Sequence, residues 1–68
     1  MPNINKQVGE KIRRSRLRKN WLQRELAQTA NLPVRTIGRI ERGEVDARLS
    51  NLEKIAKALR IKMEELFS

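Results

Sequence analysis

An all-α fold, a compact bundle of five short helices, is what this 68-residue chain predicts. Two observations carry that expectation. Apolar residues recur three or four positions apart along almost the whole sequence, which is the spacing of one helix face and not the alternation of a strand. Only three glycines and two prolines interrupt the chain, so the connections must be short. The length allows one domain, residues 1–68. A domain this small buries about 60% of its unfolded surface, leaving roughly 3 to 10 kcal/mol of stability.

The first helix is expected over residues 5–19, with Ile4, Val8 and Ile12 on one face and a cationic band around the rest. Asn20 ends it, because asparagine tolerates the left-handed conformation at a helix C-terminus. The second covers residues 23–30, with Leu22, Leu26, Ala27 and Ala30 inward. The third runs from Pro33 to a stop at Gly43, proline suiting a first turn and glycine a C-terminal cap; Ile37 and Ile40 are its buried pair. A fourth fits residues 49–59, where Leu49, Leu52, Ile55, Ala56 and Leu59 make a stripe. Ser50 and Glu53 have capping-box spacing, although Asp46 or Arg48 would begin the helix earlier. A last short helix over 63–67 would close the core with Met63, Leu66 and Phe67.

The chain has no His and no Cys, which excludes disulfide frameworks, thiolate nucleophiles, zinc sites and imidazole bases. No metal, cofactor or small-molecule ligand is expected, and Glu64 and Glu65 are adjacent rather than on one helical face, so an enzyme is the weakest reading. No uncharged stretch is long enough to span a bilayer, and a cytoplasmic location is expected. Residues 1–42 hold eleven cations against three acids, whereas residues 43–68 hold five of each. The net charge of +8 thus belongs to the first three-fifths of the chain, which is expected to face a polyanion.

Between Gln23 and Ile40 the spacing becomes specific. Ala27 is small where two helices cross, Asn31 takes a left-handed turn four residues later, and Ile37 and Ile40 lock the next helix onto the first. Those intervals describe a helix-turn-helix, whose second helix enters a DNA major groove. Taken alone, the spacing also fits any helical hairpin.

The run Gln23-Arg24-Glu25-Leu26-Ala27, then residues 31–43 (NLPVRTIGRIERG), then residues 52–59 (LEKIAKAL) and Glu65-Leu66-Phe67 resembles the phage repressor and Cro family of helix-turn-helix proteins, of XRE type. The resemblance spans residues 8–67. It implies a lambda-repressor-like bundle and a transcription regulator that binds double-stranded DNA. On a helix beginning near Pro33, Val34, Arg35, Gly38 and Arg39 project away from the Ile37/Ile40 face. Arg35 and Arg39 offer bidentate forks to guanine, worth about 1 to 3 kcal/mol each, and Val34 a contact to a thymine methyl. Either arginine would alternatively reach phosphate. Gly38 inside a helix costs about 1 kcal/mol against alanine and marks either a close backbone approach or a tolerated surface position.

By the same resemblance Gln23 is the leading phosphate contact, followed by Thr36, Arg42 and Arg48, and Arg16 and Glu41 form an ion pair between the first and third helices. Trp21, the only tryptophan, is read as core packing rather than a base-stacking platform. Leu22, Pro33 and Lys62 stand where the family places helix-capping residues, each missing cap costing about 1 kcal/mol, and Ser15 stands where an apolar residue is commoner. The acidic loop 44–47 and the surface around residues 59–63 are expected to form a homodimer interface, with Val45, Leu59 and Ile61 its candidates. The alternative is an antitoxin or partner-binding module whose main target is another protein. An exposed apolar patch at Ile4, Leu17 and Val45 would favour it.

Overall fold

The structure, a computed structural model, describes residues 3–68; the first two positions of the expected domain lie outside the described residues. Helix α1 spans Ile4–Arg18 and starts where the Asn3 side chain accepts a hydrogen bond from the Asn5 amide at 2.8 Å. Its buried stripe is Val8, Gly9, Ile12, Ser15 and Arg16. Asn20 ends the turn beyond it in the left-handed region at φ 59°, as expected of asparagine.

Helix α2 spans Gln23–Ala30 and helix α3 Val34–Glu41. The turn between them is closed by Asn31 at φ 58°, with the Leu32 amide donating to the Ala27 carbonyl at 2.9 Å. Pro33 stands just before α3 in an extended conformation rather than inside its first turn. Helix α4 spans Leu49–Leu59 and begins after Arg48, so Ser50 is not its cap. It ends at Arg60, which takes the left-handed conformation at φ 59°. The fifth element, Met63–Phe67, is a 3₁₀ helix and not an α-helix. No strand occurs among the described residues.

Helix α2 packs against both α3 and α4, α1 crosses α3, and the 3₁₀ helix returns onto α1. The centre of the bundle holds Ile12, Leu26, Ile37, Ile55, Leu59 and Leu66, all essentially sealed from water. Four residues expected in this core lie outside it: Ile4, Leu22, Leu49 and Phe67 are between 47% and 70% exposed. Each stands at or beside the end of a helix, where a correct period places the side chain on the inner face but no neighbouring element extends far enough to cover it. Ser15 is buried on α1, and Trp21 is half-buried against the core with the Lys19 ammonium 5.3 Å from its ring centre.

Candidate nucleic-acid interface

The outward side of α3 follows from what its inward side must do. Ile37 and Ile40 are buried, and residues three or four apart share a helix face, which sends Arg35, Arg39 and Arg42 to the opposite side. All three are exposed, as is Val34 at the start of the helix. Among the described residues neither Arg35 nor Arg39 is engaged in an ion pair. Their guanidinium forks are therefore free to meet an acceptor-rich ligand edge.

A buried polar network holds this helix in place. The Glu41 carboxylate accepts Arg16 Nε at 2.7 Å on Oε2 and Arg16 Nη2 at 3.1 Å on Oε1, a bidentate pair joining α1 to α3. Arg16 Nη1 donates to the Trp21 carbonyl at 2.6 Å. Gln23 Nε2, at the start of α2, donates to Glu41 Oε1 at 3.1 Å. The carboxylate thus gathers α1, the first turn of α2 and the last turn of α3 at one point. No buried side-chain nitrogen or oxygen is left without a partner among the described residues.

Gln23 and Thr36 are half-buried, while Arg42 and Arg48 are exposed. Leu22 has no side-chain oxygen to cap α2, but its amide donates to Glu25 Oε1 at 2.8 Å, so one end of the missing cap is supplied from within the helix. Arg42 folds back to Glu44, with Nε 2.7 Å from Oε2. The hydrogen bond from Arg42, aided by the charges of Arg42 and Arg39, holds the Glu44 carboxyl below the ordinary glutamate range. Leu59 is buried in the core and cannot face a second subunit. Ile61 and Val45 are half-buried at the surface.

The glycines divide by what a side chain would meet. A Cβ on Gly9 would lie 2.3 Å from the Ile40 carbonyl oxygen and 2.5 Å from that of Glu41, so α1 touches the end of α3 backbone to backbone. Sequence reasoning passed over this contact; the signal was a glycine within a helix, next to Val8 and one turn before Arg13. At Gly38 the nearest atoms are the flexible end of Arg42, with Nη1 at 3.0 Å, and Gln23 Oε1 at 3.6 Å. Gly38→Ala is accordingly expected to be neutral or to raise stability by up to about 1 kcal/mol, as measured by thermal unfolding. A clear loss of stability would show that the Arg42 end cannot yield.

A helix-turn-helix whose second helix is locked from behind and presents free cations in front defines a DNA-binding protein. The chain belongs to the helix-turn-helix family, whose sequence profile matches residues 12–66, and is a DNA-binding transcription regulator rather than an enzyme. It is similar to the control protein C.BamHI of Bacillus amyloliquefaciens, with 42% identity over 65 residues that cover 94% of this chain and 80% of that one. Its structure is similar to the restriction-modification controller protein C.AhdI of Aeromonas hydrophila, with TM-score 0.89 and 35% identity over 93% of this chain and 96% of that one. A hypothetical transcription factor from Neisseria, NHTF, superimposes with TM-score 0.91 and 31% identity over 96% of this chain and 75% of its own. Among the described residues no helix is long and apolar enough to cross a membrane.

Proposed function

We propose that the chain is a sequence-specific regulator that occupies an inverted-repeat operator as a dimer and represses transcription. Its likeness to C.BamHI and C.AhdI points to genes of a restriction-modification system as its targets. The observation that carries the reading is the exposure of Val34, Arg35 and Arg39 on one side of α3, while Ile37, Ile40 and the Arg16–Glu41 pair immobilise the other. Arg35, nearest the N-terminal end that enters the groove deepest, reads a base edge together with Val34 and Arg39. Gln23, Thr36, Arg42 and Arg48 hold phosphates and set the register.

For the dimer, Ile4, Val45, Ala47, Leu49 and Phe67 surround an apolar groove of about 140 Å³. A second copy covering this groove would shelter Ile4, Leu49 and Phe67, three of the apolar side chains that the bundle's own helix ends leave in water. It would also present two recognition helices to half-sites about 34 Å apart. The same groove would serve the alternative reading, a different protein partner. Sedimentation equilibrium separates the two: a homodimer is expected on operator DNA, whereas a monomer at operator saturation would assign the groove elsewhere.

Selection of bound duplexes from a random pool at near-physiological salt tests the whole reading. Enrichment of an inverted repeat with centres about one helical turn apart is expected; binding without enrichment that vanishes as salt rises would overturn sequence specificity. Arg35→Ala is expected to change base preference at one position per half-site. Arg48→Ala, in contrast, weakens all sequences alike and lowers the salt slope by about 1. Identical selected sites for the wild-type chain and Arg35→Ala would remove the base-reading role.

A further inference from the structure

Glu44 carries the wrong sign for its place. It follows the C-terminal end of α3, where the helix dipole disfavours a carboxylate, and it lies beside the cations that would meet DNA phosphates. Its position is nevertheless built in. The Glu44 amide donates to the Arg39 carbonyl at 3.0 Å and the Gly43 amide to that of Ile40 at 3.0 Å, closing the turn after the helix. Gly43 makes that turn at φ 71°, and a Cβ there would come within 2.6 Å of Lys6 Cγ and 2.8 Å of Lys6 Cα. The turn aims the carboxylate back at Arg42, which donates Nε to Oε2 at 2.7 Å and Nη2 to Oε1 at 3.5 Å. Gly38, bare of a side chain, leaves the room in which the guanidinium lies.

The fork of an arginine accepts a carboxylate or a phosphate through the same donors. We propose that Glu44 is an internal stand-in for a DNA phosphate: it occupies Arg42 in the free protein and is displaced when Arg42 takes a backbone phosphate. The inference rests on the reading that this face meets DNA. Its consequence is a brake on non-specific association, whose affinity is set by phosphate contacts and counterion release. A cation already neutralised by its own chain adds little to that affinity until the exchange occurs.

The test is binding of the full chain to a mixed-sequence duplex across a salt series, followed by fluorescence anisotropy. Glu44→Gln is expected to tighten binding about three- to fivefold, the upper part of what one exposed charge contact contributes. In an Arg42→Gln background the same substitution should change affinity less than about twofold. Absence of tightening overturns the proposal, and so does equal tightening in both backgrounds, which would make Glu44 a diffuse charge only. An NMR titration of the Glu44 carboxyl checks the pair without DNA: its midpoint should rise in Arg42→Gln, and an unchanged midpoint overturns the pair whatever the duplex data show. A chain with the pair intact that binds no duplex would overturn the DNA reading of this face, and the exchange with it.

Discussion

Glu41→Leu is expected to lower the unfolding free energy by about 3 to 5 kcal/mol, whereas Arg16→Met combined with Glu41→Leu should recover most of that loss. The two side chains are 9% and 2% exposed, so removing the carboxylate strands a guanidinium in a place where water cannot replace the lost acceptor. Among the described residues, Nε and Nη2 of Arg16 lose their only protein partners, and Gln23 Nε2 loses its own; the Trp21 carbonyl remains for Nη1. A loss of that size is a large part of the stability of a small domain, and the midpoint of the single variant is expected to fall by roughly 12 to 40 °C. The double variant replaces both charges with apolar groups of similar volume and leaves nothing unpaired except the Trp21 carbonyl and Gln23, which lie where solvent reaches more easily. Thermal unfolding of the two single variants and the double variant measures the coupling, which should exceed the surface-pair level of about 1 kcal/mol. Strictly additive losses would mean that the two residues do not act as a unit.

Gly9→Ala is expected to destabilise by about 2 to 3 kcal/mol, the upper part of the range for over-packing. Helix propensity taken alone predicts the reverse, a gain of about 1 kcal/mol for alanine inside α1. The sign is decided by the Cβ position, 2.3 Å from the Ile40 oxygen and 2.5 Å from the Glu41 oxygen. Those atoms belong to the backbone of α3 and cannot rotate away. The helices would have to separate, loosening Val8 and Ile12 from Ile40 and stretching the Arg16–Glu41 pair that spans the same crossing. At about 4 to 8 °C per kcal/mol for a domain of this size, the midpoint should fall by roughly 10 to 20 °C. A midpoint equal to or above that of the unsubstituted chain would show that α1 can move off α3 without cost.

The contrast between Gly9 and Gly38 shows where reading from sequence stops. Both are glycines inside helices, and the sequence marks both as costly. It singled out Gly38, because that glycine lies among the groove-facing residues, and passed over Gly9. In the structure Gly9 is the close approach, while Gly38 meets only the ends of two flexible side chains. Likewise the resemblance to helix-turn-helix proteins implied the pair of Arg16 with Glu41, but not the hydrogen bond from Gln23 to the same carboxylate, eighteen residues away along the chain. Nor did the acidic loop reveal that Glu44 turns back on Arg42, which depends on the left-handed turn at Gly43.

What the sequence by itself determined is what neighbours along the chain decide: the place of the helices to within a residue or two, the left-handed turns at Asn20 and Asn31, the buried stripe through the middle of each helix, and therefore the outward side of α3. Those properties follow from helical period and local backbone preference, and need no knowledge of how the helices cross. The tertiary structure alone decided which side chains at helix ends are left uncovered, Ile4, Leu22, Leu49 and Phe67 among them, and that Leu59, expected both on the helix stripe and at a dimer surface, belongs to the core alone. It also decided that α1 meets α3 at a glycine and that three helices share one buried carboxylate. The physical reason is that burial and close approach are set by the angle and offset at which helices pack, quantities shared between distant segments.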